Sequence, residues 1–281
     1  LISKRSNVSP MLIGATIVSM GTTLPEAVVS VLAATQGNPG LALGNAVGSV
    51  IADTGLILGI SILLGSIPID KKLVNRQGWI QVGADFMLVL FVFPWNQPSN
   101  ALISGGNLSQ ASGGFFLSLL ALYLFFSLKW AKEEEEEEEE GDYNSSLEED
   151  EERSPSSTAF VILKLGCAIG LVVLSSEGLI TTATESAIRL SVPSSVIAAT
   201  LVAFGTSLPE LVTCVTAVRK NQGALALGNV IGADILNILF VTGAAAAVTT
   251  GGLDANPHFF EALFPAMLTI LIIFRLGIMF A

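Results

Sequence analysis

Glu26 and Glu210 each stand one residue past a proline, in a phrase that the chain contains twice: Gly21-Thr22-Thr23-Leu24-Pro25-Glu26 and Gly205-Thr206-Ser207-Leu208-Pro209-Glu210. A proline inside a helix removes a backbone donor and crowds the carbonyl four residues earlier. Pro25 therefore leaves the Gly21 carbonyl without its helical partner, and Pro209 does the same to Gly205. At membrane depth such an oxygen is tolerated only where it lines a cavity or meets an ion. Thr22 and Thr23 precede Glu26 at helical spacing and share its face, as Thr206 and Ser207 do for Glu210. Carboxylates, hydroxyls and bare carbonyls together make an all-oxygen site, the chemistry that hard cations such as calcium require. No histidine or cysteine set for a softer metal is present, since His258 is the sole histidine and is read as interfacial.

Downstream of each phrase lies a second stripe. Leu41-Ala42-Leu43-Gly44-Asn45 returns unchanged as Leu225-Ala226-Leu227-Gly228-Asn229, and Gly48 and Gly59 return as Gly232 and Gly243, all at one spacing without gaps. A fixed long period of this kind is an internal duplication. Asn45, Ser49 and Asp53 step by four and face one way. Their second-copy counterparts are Asn229, Ala233 and Asn237, so the copies differ in charge and in one hydroxyl. Asp234, about 60 degrees from Asn237 on an ideal helical wheel, is placed to compensate; a purely structural role is the alternative. The pairs Gly44/Gly48 and Gly228/Gly232 have the small-xxx-small spacing that lets membrane helices approach closely. A single Leu-Pro-Glu is readily a kink with a snorkelling acid. Two matched copies, each followed by the same Gly-Asn helix, are not.

The elements that must hold these residues are membrane helices. Of 281 residues 51% are hydrophobic and 13% charged, and several apolar runs approach the roughly 20 residues a spanning helix needs. No barrel-like alternation is present, so the expectation is an all-α polytopic membrane protein. Spans are expected from Met11 to about Ala34, Leu41 to Leu64, Trp79 to Phe93, Gly113 to Trp130, Ala159 to Arg189, Ser194 to Val218, Ala224 to Val248, and Phe259 onward. The net charge of −11 is local, because 14 of the 24 acidic residues fall in one segment. This divides the chain into a first repeat over 1–130 with its motif region at 11–64, an acidic linker over 131–158 expected to be disordered, and a second repeat over 159–281 with its motif region at 194–248. Matching the copies predicts a further helix before Leu1 and another after Ala281. Threading the spans puts Lys71, Lys72, Arg76, Lys129, Arg219 and Lys220 on one side, which the positive-inside rule makes cytoplasmic together with the acidic linker. The span carrying Glu26 then runs outward and that carrying Glu210 inward. Inverted repeats with Gly/Pro-interrupted spans in matching positions point to a secondary transporter with a midplane site.

Several polar residues stand outside the duplicated motifs. Asp85 lies within the third span with no role to assign. Glu177 and Glu185 read as helix-end or partner-paired residues, and Cys167 and Cys214 as small core side chains. Asn107-Leu108-Ser109 forms a glycosylation sequon on the expected outer side. The glutamate run reads as a solvated linker, with weak regulatory calcium binding as the sharper alternative.

Taken together, the repeated phrase and its Gly-Asn helix resemble the two alpha-repeats of the cation/calcium exchanger superfamily, in its sodium/calcium exchanger family, and look most like the microbial sodium/calcium antiporter and potassium-dependent branches. The resemblance covers most of both halves and omits the linker. It implies an antiporter of two inverted repeats of about five helices each, needing no cofactor and acting on calcium and sodium, with potassium a further candidate ion. It implies partners limited to ions and the lipid bilayer, with no nucleic acid and no enzymatic activity. Its binding positions fall here on Ser19 (backbone carbonyl), Thr22, Thr23, Glu26, Ser49 and Asp53, and on Ala203 (backbone carbonyl), Thr206, Ser207, Glu210, Ala233 and Asn237. The family often has serine at the Ala233 position, and an acid at the Asn237 position with asparagine in the first repeat. Here the latter pair is exchanged. Proton- or potassium-coupled exchange with the same carboxylates, and a membrane protein that binds calcium without transporting it, are the competing readings.

Overall fold

A proline is harmless in the first turn of a helix, where no donor is needed, and the chain uses this to accommodate both repeated prolines. In the computed structural model, which describes residues 9–141 and 188–280 together with 171, 178, 181, 182, 185 and 186, helix α1 (Pro10–Thr22) stops at Thr23. Helix α2 (Leu24–Thr35) restarts with Pro25 in its first turn, bent by 43° from α1. Helices α6 (Ser195–Thr206) and α7 (Leu208–Arg219) repeat the break with a bend of 44°. The bend is thus a property of the duplicated phrase and not of either setting.

Each broken pair turns back into a long helix, α3 (Pro39–Leu64) or α8 (Gly223–Val248). The reversal needs a left-handed residue, supplied by Gly37 at φ 83° in the first copy and by Asn221 at φ 57° in the second; glycine and asparagine are the residues that tolerate that conformation. Wide π turns occur at matching places. They span Gly14–Val18 in α1 and Ala198–Val202 in α6, and Ala52–Ile57 in α3 and Asn237–Thr242 in α8. Such turns concentrate at functional positions because they re-aim side chains within a helix. Asp53 and Asn237 lie inside the second pair.

Helix α4 (Lys71–Val92) begins two turns before the expected Trp79, because Asp70 caps it by accepting from the Lys72 and Leu73 amides at 2.9 and 3.2 Å. Helix α5 (Gln110–Gly141) runs past Trp130 through the glutamate run to Gly141, so the first residues of the expected linker are helical. Glutamate is a good helix former, and Lys129 meets Glu133 one turn on at 3.6 Å, which favours continuation where composition alone argued for disorder. The remainder of the linker, together with Cys167, Glu177 and most of the fifth span, lies outside the described residues. Helix α9 (Phe259–Phe280) closes the order. A short antiparallel pair, β1 (Gly106–Leu108) with β2 (Leu253–Ala255), ties the α4–α5 connection to the α8–α9 connection. Asn107 of the sequon donates across this pair to the Gly251 carbonyl and to Asp254 Oδ1, at 3.1 and 2.8 Å.

The core is a reciprocal crossing of the repeats. Helix α3 packs on α6, and α8 packs on α1. Gly44 and Gly48 lie against the backbone of Ser195 and Ala199, while Gly228 and Gly232 lie against that of Met11 and Ala15. Only glycine allows backbones this close. Large apolar side chains such as Phe91, Phe125 and Phe280 are exposed on α4, α5 and α9; among the described residues four helices, and the two bent pairs if each is taken as one span, are long and apolar enough to cross a membrane. The outer helices thus present apolar side chains outward while a buried polar cluster lies within an apolar core, the arrangement of a multi-pass membrane protein. Arg275 of α9 turns inward, donating to the Val74 carbonyl at 3.2 Å and to Asn75 Oδ1 at 3.0 Å, with its guanidinium 4.9 Å from the centre of the Trp79 ring.

Candidate cation site

Both glutamates of the repeated phrase are fully buried, and each is held by the other repeat. Ser207 Oγ donates to Glu26 Oε1 at 3.2 Å, and Thr23 Oγ1 to Glu210 Oε1 at 3.5 Å. The neighbouring hydroxyls behave alike. Thr22 Oγ1 is shared between the Ser19 carbonyl and Asn229 Oδ1, both at 3.3 Å. Thr206 Oγ1 is shared between the Ala203 carbonyl at 3.1 Å and Asn45 Oδ1 at 3.2 Å. Residues separated by two-thirds of the chain are thus interleaved in one cluster.

The two asparagines hold this cluster in register. Asn45 Nδ2 donates to Ser30 Oγ at 3.0 Å and to the Glu26 carbonyl at 3.4 Å. In the second copy Asn229 Nδ2 points to Cys214 Sγ at 3.7 Å, the thiol replacing the Ser30 hydroxyl. Cys214 is buried and is a packing residue, as expected of a small core side chain.

What remains unsatisfied is informative, because buried polar atoms normally find partners. Glu26 Oε2, Glu210 Oε2, Ser49 Oγ, both carboxylate oxygens of Asp53 and both amide atoms of Asn237 are buried and have no hydrogen-bond partner. Ser49, Asp53 and Asn237 are fully buried, as is Ala233, where the second copy has no hydroxyl to offer. Carboxylates without counter-charge are costly in a low-dielectric interior, and no lysine, arginine or histidine is among the hydrogen-bond partners of these four acids, Glu26, Asp53, Glu210 and Asp234, in the described residues. Also among the described residues, no three Asp, Glu, His or Cys side chains form a ready metal cage. A cation would therefore be held by carboxylates together with hydroxyl and carbonyl oxygens, which is the donor set that hard cations take.

Ser19 and Ala203 are buried beside this cluster, and their carbonyls accept both a threonine hydroxyl and the amide at the helix break. Gly21 and Gly205 are exposed. The buried carbonyls are thus those of the two positions that the family resemblance implies, Ser19 and Ala203, two residues before the ones the prolines pointed to. Asp234 accepts from Thr54 Oγ1 and from Gln81 Nε2 of α4. Gln77, Gln81 and Asp85 form a fully buried stripe on α4 that motif reading did not gather, although their spacing of four within an apolar span signals it. Glu185 pairs with Arg189 one turn on, and His258 Nδ1 lies 3.1 Å from Glu261 at the exposed start of α9, so neither takes part in the buried cluster.

The model of the sodium/calcium exchanger protein family matches residues 1–129 and 160–281. Inner membrane protein YrbG of Escherichia coli is 32% identical over 98% of this chain and 80% of its own length. The sodium/calcium exchanger MaX1 of Methanosarcina acetivorans is 34% identical, over 86% and 74% respectively. The putative antiporter CaxA of Alkalimonas amylolytica is 34% identical over 90% and 75%. Among solved structures, the sodium-calcium exchanger NCX_Mj soaked with 10 mM sodium and no calcium superposes with a TM-score of 0.65 at 29% identity, covering 98% of this chain and 82% of that one.

Proposed function

We propose, from the premise that this chain belongs to the sodium/calcium exchanger protein family, that it exchanges calcium for sodium by alternating access at the buried oxygen site. A membrane transporter and not an enzyme, it carries its ions as cargo. The observation that carries the reading is the reciprocal pair Ser207–Glu26 and Thr23–Glu210. Each carboxylate keeps one oxygen on a hydroxyl of the opposite repeat and has the other free for a cation. Calcium draws on both glutamates with Thr22, Thr23, Thr206 and Ser207 nearby, and the carbonyls of Ser19 and Ala203 complete the donor set. Sodium, also an oxygen seeker, uses the same glutamates and extends to Ser49, Asp53 and Asn237. Because the ions share carboxylates, loading one displaces the other, and that competition couples their fluxes. The reciprocal crossing of α3 on α6 and α8 on α1 supports an inverted, midplane arrangement of the repeats. The relatives add support: NCX_Mj is described as a sodium-calcium exchanger that undergoes ion exchange and binding-site occlusion.

The test is ion-driven flux by the full-length protein in proteoliposomes loaded with radioactive calcium, with sodium, potassium and proton gradients imposed singly. An inward sodium gradient should release calcium and an equal potassium gradient should not. Release driven by a pH gradient alone would replace sodium with the proton as coupling ion.

The missing hydroxyl at Ala233 gives a second prediction. Ala233→Ser puts a hydroxyl at the second-copy counterpart of Ser49, with a contribution of about 0.5–1.5 kcal/mol for one hydrogen-bond-scale contact. Sodium should then inhibit calcium uptake at roughly two- to tenfold lower concentration, with the calcium affinity nearly unchanged. A shift in calcium affinity alone would take this position out of the sodium site.

A further inference from the structure

A second group of buried oxygens lies beside the exchange site, and none of it comes from the repeated phrase. Asp234 accepts from Thr54 Oγ1 and Gln81 Nε2, and Gln81 Nε2 lies 3.3 Å from Thr54 Oγ1. One turn along α4 from Gln81, on the same face, is Asp85, fully buried. Four oxygens here have no hydrogen-bond partner: both of Asp85, Oδ1 of Asp234 and Oε1 of Gln81. The Gln81 oxygen is the independent indicator, because a neutral amide oxygen buried without a donor has no ionic reason to be there and is costly unless a ligand meets it.

The group sits where the duplication breaks. The second-copy counterpart of Thr54 is Ile238, and the first-copy counterpart of Asp234 is Val50, both buried and apolar. Symmetry of the repeats therefore does not explain these polar side chains. Charge balance asks for an occupant. A divalent ion on Glu26 and Glu210 leaves Asp53, Asp234 and Asp85 to be neutralised in a low-dielectric interior, and one monovalent cation here offsets part of that charge.

We propose that Asp234, Asp85, Gln81 and Thr54 form a further cation site, contributed partly by α4, that binds one monovalent alkali cation while the exchange site is occupied. Its donors are two carboxylates, an amide oxygen and a hydroxyl, suited to a weakly held alkali ion that needs oxygen and little charge. This inference rests on the cation-exchange reading for its context, but its test separates the two.

The test uses purified full-length protein and equilibrium binding of radioactive sodium, rubidium and calcium, with monodispersity and melting temperature recorded for every variant. Glu26→Gln combined with Glu210→Gln should lose calcium binding yet retain about one alkali ion per chain. Adding Asp85→Asn to that pair should weaken the residual binding by roughly tenfold or more, the scale expected for loss of a charge-assisted contact. Gln81→Leu, close in volume and lacking the oxygen, should do the same and serves where Asp85→Asn does not fold. Full calcium binding in the double variant would overturn the exchange-site reading and leave this one standing. Absence of residual alkali binding, or residual binding indifferent to both Asp85→Asn and Gln81→Leu, would overturn the further site. In that event these acids are neutralised by protons, which release of protons on raising the pH of unbuffered protein would register.

Discussion

Calcium exchange is expected to vanish when either Glu26 or Glu210 is changed to glutamine, with the protein still folded. Glutamine preserves the shape of the side chain and its capacity to accept from Ser207 or Thr23, so the reciprocal hydroxyl contacts survive. What is lost is the charge facing the buried cation. Removing one partner of a buried charge pair costs about 3–5 kcal/mol, and each 1.4 kcal/mol is tenfold in binding. Each single variant should therefore fall by roughly a hundredfold or more in sodium-driven calcium flux. The two should be equivalent, because each acid has one bond to the opposite repeat and one oxygen free. Melting temperature should hold, since glutamine keeps the shape of the side chain and the hydroxyl contact with the opposite repeat. Near-normal flux in both variants would remove the cluster from the transport path.

The second large effect concerns folding. Gly228→Ala would drive a methyl group into the Met11 carbonyl oxygen, and Gly48→Ala would drive one into the backbone of Ala199. Backbone has no rotamer with which to give way, so both fall at or beyond the upper end of overpacking penalties, about 3 kcal/mol or more. Detergent-solubilised full-length protein carrying either change should unfold at markedly lower temperature or fail to accumulate. Gly59→Ala is the control. Nothing lies within 4 Å of the position its new carbon would take, and alanine is the better helix former by about 1 kcal/mol. Its stability should equal or exceed that of the parent. Equal melting of all three variants would mean that the helices do not cross at these glycines.

Much of this site was legible in the residues because duplication is a pattern that needs no geometry. The doubled phrase located both bends, and proline chemistry explained them. The hydroxyls, glutamates and Gly-Asn helices all enter the buried cluster. Other features depended on distance between remote segments. That Ser207 serves Glu26, and not its own neighbour Glu210, follows only from how α6 and α7 lie against α2. Asp234 illustrates the limit of a helical wheel: the wheel places it near Asn237 in angle, while the π turn beginning at Asn237 and the approach of α4 give it Thr54 and Gln81 as partners. Gln77, Gln81 and Asp85 were obscured because α4 starts with Lys71, Lys72 and Arg76, so its polar residues resemble a solvated helix end until their common burial is seen. The helical start of the acidic run was hidden for another reason. Composition measures charge, whereas a helix already under way at Trp130 is propagated by any good helix former at little cost.

The glycine crossings also determine which parts can move. Where backbones touch over successive turns, neither side has a compressible layer of side chains, and packed interfaces of this kind shift between discrete arrangements or not at all. Helices α1 and α8, and likewise α3 and α6, are thereby joined into stiff cross-repeat pairs, while the two glutamates lie on α2 and α7 just past the breaks. Rocking one repeat over the other would have to part four glycine contacts and both serine/threonine–glutamate bonds together. Less work is needed to slide peripheral helices that meet these pairs through larger side chains. On the proposed alternating-access reading, opening the site first to one face of the membrane and then to the other would be a matter of sliding gates around a fixed centre, with the ions nearly stationary.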